Sequence, residues 1–265
     1  MVCRFRKLAG TLVLILIAAT TVSASTTTNL VAKGIRQFST GLETWSSPRM
    51  NTALASFVKA AQATPDSFPA AYWQGAAHFH LVLHELGRPD DLRDQDAVSR
   101  HMAQAVKVLR QALELRPDDS ETHALLSTVY GLQIADSPAS ALWRGPKVLR
   151  HRRLALASNP RNPRMYYLQG MSAFHAPGFF GGEKKALDLL LKAEALFEDP
   201  PSGPRDPIAP TWGYDNCLVF IGACYLELGD TNAAEAYYGK ALSVNPRHGI
   251  AAEGLQRCRT KRPNE

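Results

Sequence analysis

Three histidines on one predicted helix have the spacing that comes nearest to a reactive site. His80 and His84 are four residues apart, a spacing that can place two imidazoles on one metal ion. His78 precedes them and Glu85 follows, but no glutamate follows the first histidine in the way that the helix of a zinc hydrolase requires. No third ligand is identifiable nearby. We therefore expect ordinary surface or groove histidines, with no metal site.

The rest of the sequence lacks a catalytic motif. It contains no Gly-rich phosphate loop, no Gly-x-Ser-x-Gly nucleophile elbow, no Cys-x-x-Cys pair and no carboxylate pair at a defined spacing. We therefore expect a protein that is not an enzyme and has no cofactor.

Composition narrows the class of protein further. The chain has 265 residues, of which 45% are hydrophobic and 20% charged, so it can bury a substantial core and is not a disordered or collagen-like polymer. Its four cysteines are too few for a disulfide-built scaffold. The formal net charge of +6 alone would suggest a nucleic-acid partner.

The first 24 residues account for half of that charge. A basic start with Arg4, Arg6 and Lys7 precedes an apolar stretch, Leu8 to Val22, and small residues lead to Ala24, which is the order of a secretory signal. We expect cleavage after Ala24 and a periplasmic or secreted protein. The alternative is an uncleaved segment that anchors the protein in the membrane, which is the only membrane contact expected. Cleavage would leave 27 basic and 24 acidic residues, a net charge of +3, and no reason to expect nucleic acid.

Three cysteines follow the predicted cleavage site. Cys217 and Cys224 are seven residues apart on a predicted helix, about 10.5 Å along its axis, which is too far for a disulfide. Either Cys258 pairs with one of them, or all three are small buried side chains.

A pattern of two short helices recurs along the chain. The clearest copy, residues 214–248, has a small residue on the first helix, a break at Gly229-Asp230 and a second helix that ends before Pro246. Five second helices share a small residue, a bulky residue four later and an alanine three after that: Ala53, Phe57 and Ala60; Ala105, Leu109 and Ala112; Val148, Arg152 and Ala155; Ala186, Leu190 and Ala193; and Ala234, Tyr238 and Ala241. A proline follows five residues later in four of them, and a small residue marks each first helix: Gly41, Gly75, Ser127, Gly170 and Gly222.

This pattern resembles the tetratricopeptide repeat over residues 30 to 258. The resemblance implies an all-α, right-handed α-solenoid of about five helix pairs and a capping helix. It predicts a linker at 25–33 and a solenoid domain at 34–265, with repeats at about 34–67, 68–119, 120–162, 163–214 and 215–248 and a cap at 249–258.

Insertions lengthen several repeats, and we expect them to form loops on the solenoid: 87–97, 136–146, 177–182 and 199–210. The third insertion holds Phe179 and Phe180 between glycines, where they can contact a partner or fold back onto the solenoid. This segment and the Lys-Ala helix after it are similar to periplasmic tetratricopeptide proteins associated with TRAP-type solute transport.

The family's concave face is lined mostly by the first helices, and here the predicted lining is aromatic and apolar: Phe38, Tyr72, Phe79, His80, Tyr167, Met171, Phe174 and His175. Such a groove favours a protein or peptide segment with hydrophobic anchors, which predicts a non-catalytic scaffold or adaptor. Packing between repeats is the alternative for about half of these side chains. A second hypothesis is a small-ligand or transport accessory protein that encloses a hydrophobic ligand between Phe79, Met171 and Phe174.

A basic stretch occupies the second helix of the third predicted pair: Arg144, Lys147, Arg150, Arg152 and Arg153, with Arg161 and Arg164 beyond. It is either a solvated helix offset by the acidic loop at 90–96, or a surface that attracts an acidic partner or anionic lipid headgroups.

Overall fold

Helices make up nearly all of the chain that the computed structural model describes, which is residues 25–176, 181–200, 202–203 and 206–261. No strand occurs in these ranges. The helices are α1, 25–43; α2, Ser47–Ala63; α3, Phe68–Leu86; α4, Gln95–Leu115; α5, Ser120–Asp136; α6, Ala141–Ser158; α7, Pro163–His175; α8, Glu183–Glu198; α9, Tyr214–Glu227; α10, Thr231–Val244; and α11, Gly249–Lys261. The signal segment, Phe179 and Phe180 lie outside the described residues.

Local sequence signals set many of the helix ends. Asp94, Asp119 and Asp230 each accept a hydrogen bond from the backbone N–H three residues later, at 2.7 to 3.0 Å, and so cap α4, α5 and α10. Four second helices end at a residue outside the helical backbone region that directly precedes a proline: Thr64, Arg116, Asn159 and Asn245. The residue before proline is disfavoured in helical geometry, so the prolines end the helices as the repeat pattern predicts.

The helices pack in consecutive pairs, α3 on α4, α5 on α6, α7 on α8 and α9 on α10, with α11 against the last pair. The first helices α3, α5, α7 and α9 also contact one another in series, whereas the second helices of the described chain do not. The eleven α-helices of the described ranges are thus arranged as an α-solenoid, with an inner face formed by the first helices and an outer layer formed by the second helices. This confirms the predicted all-α fold.

The small residues of the repeat pattern stand where two helices approach closely. A Cβ atom added to Gly170 would come within 2.6 Å of Leu190 Cγ, and one added to Gly222 within 3.0 Å of Tyr238 Cε1. A Cβ atom added to Gly75 would likewise come too close to the side chain of Leu109. These are the small and bulky positions that the pattern paired, so the spacing predicted real helix contacts.

The first repeat differs from the prediction. Residues 25–33 are not a linker but the start of α1. Val31 is buried in the core, and the Thr27 hydroxyl is hydrogen-bonded to that of Thr64 at 2.7 Å, so tertiary contacts hold this segment in the fold. Phe57 packs against Gly34, while Gly41, the expected landmark, faces Met50 instead.

The second predicted loop is also shorter than expected. Helix α6 begins at Ala141, so Trp143 and Pro146 lie on the helix and not in an insertion that runs to residue 146. Pro146 has no N–H to donate to the Leu142 carbonyl, but it lies in the second turn, where both residues are exposed to solvent. Water can therefore satisfy that carbonyl.

The three cysteines beyond residue 24 are buried thiols, which agrees with the packing alternative. Burial raises the pKa of the Cys224 thiol to about 12 and also raises that of Cys217.

Within the described ranges, no helix has both the length and the apolar character needed to cross a membrane.

Candidate functional site

The aromatic lining predicted for the concave groove is largely internal. Phe174 is half-buried and His175 is exposed. The other six predicted residues are all buried: Phe38, Tyr72, Phe79, His80, Tyr167 and Met171. The inner face therefore brings these residues together, but as a packed layer and not as an open groove.

A segment from the fourth insertion closes this layer. Residues 206–213, which we call the cover segment, connect the insertion after α8 to the start of α9. Trp212 of the cover segment is only 5% exposed. Its ring centroid lies 4.9 Å from that of His80, edge to face, and 6.5 Å from that of Tyr167. The cover segment thus inserts an aromatic side chain between two first helices, α3 and α7.

A backbone contact fixes the other end of the cover segment. The indole Nε1 of Trp73, which is buried in α3, donates a hydrogen bond to the Ile208 carbonyl at 2.9 Å. The Asp206 carboxylate in turn accepts the backbone N–H of Ile208 at 3.0 Å, which forms a local turn. The segment is therefore held at the Ile208 carbonyl and at the aromatic side chain of Trp212, four residues apart, and the Trp212 carbonyl also accepts a hydrogen bond from Arg164 Nη1 at 3.5 Å.

A largely buried ion pair lies next to Trp212. Glu121 of α5 and Arg164 of α7 are joined by three N–H···O hydrogen bonds of 2.7 to 2.9 Å, and their side chains are 18% and 12% exposed. Burial opposes the charged guanidinium, but the Glu121 carboxylate outweighs this and raises the pKa of Arg164. The Arg164 guanidinium also stands 5.6 Å from the Trp212 ring centroid, within cation–π range.

Tyr72 lies at the centre of this site. Burial raises the pKa of its hydroxyl, the Glu121 charge raises it further, and the Arg164 charge lowers it by less. In the described chain, the buried Tyr72 hydroxyl and the Trp212 indole N–H have no hydrogen-bond partner. A cavity of about 180 Å³ opens beside Tyr72, between α3, α5 and the cover segment, and its walls include Phe68, Arg116 and Ile208. The cavity is smaller than the roughly 300–1,000 Å³ of ordinary small-molecule sites.

Trp212 is absent from the predicted lining, although the residues around it carry a signal. The insertion at 199–210 is long and rich in proline, yet a tryptophan follows it directly before Gly213 and the next first helix. Gly213 has φ of 104°, a conformation that favours glycine, and this turn leads from Trp212 into α9. A single large aromatic in an otherwise polar, proline-rich loop indicates a contact with the body of the fold.

The histidines form no metal site in the part of the chain that the structure describes, where no group of three or more His, Cys, Asp or Glu residues is placed to hold an ion. His80 is buried, and its Nδ1 bonds the Ala76 carbonyl at 2.9 Å. His78 instead pairs with His101 of α4, and a second pair joins His123 of α5 to His151 of α6, with 2.8 Å between the Nδ1 atoms in both. One ring donates and the other accepts, so a pair cannot keep this bond with both rings protonated.

Acidification is expected to destabilise the fold through these pairs. Burial, with the partner ring's charge, lowers the pKa of His78 and of His151 to about 4. Between pH 6.5 and 4 the unfolded chain therefore binds more protons than the folded one, and stability falls as pH falls. One pKa unit corresponds to about 1.4 kcal/mol. Because solvent screens these partly buried rings and reduces their contribution, the two together should account for about 2 kcal/mol. Urea titrations at pH 7 and pH 4.5 measure this loss.

The matched control is a variant with His78→Asn and His151→Asn. It retains His80 and all carboxylates, so the common acid response remains while the contribution of the pairs is removed. The variant should lose less stability between the two pH values than the unmodified chain. Equal losses would show that the pairs do not couple folding to pH.

The last complete helix pair matches a known sequence family. Residues 216–248 match the model of the tetratricopeptide repeat. The fold is a tetratricopeptide-type solenoid. A thermophilic tetratricopeptide protein of Thermus thermophilus, TTC0263, superposes with a TM-score of 0.62 at 19% identity, over 88% of this chain and 99% of that one. No curated protein sequence matches the chain.

A second solved structure is similar to this solenoid. The HusA haemophore from Porphyromonas gingivalis superposes with a TM-score of 0.60 at 23% identity, over 76% of this chain and 93% of that one. These two superpositions show the tetratricopeptide fold. Tetratricopeptide solenoids are generally non-catalytic scaffolds for protein interactions, and this chain has that architecture.

Proposed function

We propose that this chain is a non-catalytic scaffold that binds an extended segment of a partner protein on its inner face, at the place that the cover segment occupies. The observation that carries the proposal is the cover segment itself. It lies on the first helices as a peptide ligand would, with one backbone hydrogen bond to Trp73 and one anchoring side chain, Trp212.

The contacts define the chemistry of such a partner. An aromatic side chain would stand between His80 and Tyr167, and a carbonyl four residues earlier would accept the Trp73 indole N–H. Backbone hydrogen bonds combined with a few side-chain anchors are a recurring mode of peptide recognition. Proline in the partner would lower the entropic cost of ordering it, as Pro207 and Pro210 do in the cover segment.

The test is binding of the cover sequence in trans. In an opened variant, residues 206–212 are replaced by a Gly/Ser linker of equal length, which removes Trp212 and leaves Gly213 in place. A synthetic peptide with the sequence of residues 206–213 should bind this variant saturably. It should bind the unmodified chain at least about tenfold more weakly, because the chain's own segment competes. Isothermal titration calorimetry measures both affinities.

Two controls make the result decisive. A peptide with alanine at the tryptophan position should lose at least about 30-fold in affinity, which corresponds to the roughly 2 kcal/mol of a hot-spot side chain. The single variant Trp212→Ala provides an opened face with the fewest changes, and circular dichroism checks its helix content. Equal affinities of the two peptides, or no binding to either folded variant, would contradict the proposal.

We also propose that the scaffold is exported. The support is the order of residues 1–24, with basic, apolar and small residues in sequence. Expression in a Gram-negative host followed by fractionation and N-terminal sequencing should give a periplasmic protein that begins at Ser25. A full-length chain retained in the membrane fraction would support the uncleaved anchor instead.

The alternative function is a small-ligand or transport accessory protein. The likeness to HusA favours it, since that protein is a haemophore. The proposed lining does not, because Phe79 and Met171 are buried in the packed layer under Trp212 and the neighbouring cavity measures only about 180 Å³. A small hydrophobe that co-purifies with the unmodified chain in native mass spectrometry would reverse this preference.

A further inference from the structure

The outward face of α6 carries large apolar side chains in solvent. Leu142, Trp143 and Leu149 are 84%, 55% and 54% exposed. Leu142, Pro146 and Leu149 follow each other at intervals of four and three residues, so they form one line along the helix, on a different side from the buried Val148. A helix on the surface of a solenoid normally presents polar residues there, so this face is a candidate contact surface.

Positive charge surrounds the apolar line. Helix α6 has no acidic residue among its 18. It has five cations: Arg144, Lys147, Arg150, Arg152 and Arg153. None of the five forms an ion pair with a residue that the structure describes. The acidic loop that precedes α4 does not neutralise them, because Asp90 pairs with Arg93 and Asp94 with Arg100. The exposed charges of Lys147, Arg150 and Arg153 are therefore available to an external anion.

The position of α6 in the solenoid leaves this face open. The helix packs on α5 but scarcely touches α7, unlike the second helices α2, α4 and α8, which pack on the first helix that follows. Arg152 stands at the repeat position that otherwise holds Phe57, Leu109, Leu190 or Tyr238. Its Nε is buried without a hydrogen-bond partner in the described chain, and burial lowers the pKa of its guanidinium.

We propose that α6 is a peripheral membrane-docking helix that lies on a bilayer with anionic headgroups. A membrane surface matches both halves of the face at once: headgroup phosphates neutralise the cations, and the interfacial region accepts leucine and tryptophan side chains. An acidic protein would match the charge, but it would also need an apolar surface to cover the three large apolar side chains. This docking adds a membrane contact beyond the one expected through residues 1–24.

The test uses the full chain and lipid vesicles, with binding measured at α6. Residues 1–24 contain an apolar stretch of their own, so bulk sedimentation alone would not isolate the helix. Trp143 is exposed, Trp45 is half-buried, and Trp73 and Trp212 are buried. The part of the quenching by brominated acyl chains that is lost in the Trp143→Phe variant therefore reports local contact of α6. Quenching should occur with vesicles that contain about 30% phosphatidylglycerol and not with pure phosphatidylcholine. It should be absent from the Trp143→Phe variant.

Three variants separate the contributions. Lys147→Gln, Arg150→Gln and Arg153→Gln together should weaken binding to the anionic vesicles about 100-fold, at about fivefold per cation near such a surface. Leu142→Gln with Leu149→Gln should also weaken it, because the apolar line is lost. A control that removes the same charge elsewhere, Arg49→Gln, Lys59→Gln and Arg259→Gln, should change binding less than about threefold.

Three results would overturn the proposal. One is absence of Trp143 quenching with anionic vesicles. Another is an equal loss in the α6 variant and in the charge control, which would indicate attraction by net charge alone. The third is binding of soluble polyglutamate as tightly as of vesicles, unaffected by Leu142→Gln with Leu149→Gln, which would assign the face to an acidic macromolecule.

Discussion

Replacement of Trp73 by alanine is expected to lower the free energy of unfolding by about 3–5 kcal/mol, the range for removal of a large aromatic side chain from a core. Trp73 is 1% exposed and stacks on Phe57, with ring centroids 5.8 Å apart. It also meets Phe38 edge to face at 5.6 Å and holds the Ile208 carbonyl. The variant thus loses contacts to both helices of the first repeat and to the cover segment.

A matched control exists on the same chain. Trp143→Ala removes an equally large side chain that is 55% exposed, and its effect should lie within about 0.5 kcal/mol. Urea denaturation followed by circular dichroism measures both variants, with an unchanged m-value as the condition for comparing them. Similar losses in the two variants would contradict the core assignment of Trp73.

Replacement of Glu121 by alanine is expected to lower the free energy of unfolding by about 3–5 kcal/mol, because it leaves the Arg164 guanidinium buried without its carboxylate partner. The charge cannot escape by deprotonation at neutral pH. The cost should be largely recovered in the double variant Glu121→Met with Arg164→Met, since an apolar pair of similar volume needs no compensation for desolvation. The same denaturation experiment measures the single and double variants.

The exposed pair Arg161–Asp199 is the control for this prediction. Its side chains are 55% and 77% exposed, so Asp199→Ala should change stability by less than about 1 kcal/mol. If Glu121→Ala were as mild as Asp199→Ala, solvent would be screening the buried pair and its role in positioning α5 against α7 would be small.

The fold was predictable because helix contacts repeat in the sequence. Gly170 and Leu190 were paired by spacing alone, and the structure places them in contact. The start of the first repeat was not predictable in this way. Residues 26–28 are three threonines, which favour helix only weakly, and burial of Val31 overrides that local preference.

The candidate site was only half predictable. Helical periodicity assigned Tyr72 and Tyr167 to one predicted lining, but it could not show that Trp212 packs against Tyr167. Another contact joins Trp212 to His80 of α3, more than 100 positions earlier in the sequence, and Trp212 lies in a loop with no periodicity. Sequence spacing within a repeat carries no information about where such a loop returns.

The cover segment has a quantitative consequence for any partner. A tethered segment competes at an effective concentration on the order of 1 mM. If the free peptide bound the open face with a Kd of about 10 µM, the closed form would outnumber the open form by about 100 to 1. The apparent Kd of a partner would then rise by the same factor. The cover segment would therefore prevent weak ligands from binding, and only ligands able to outcompete the chain's own residues would bind the inner face.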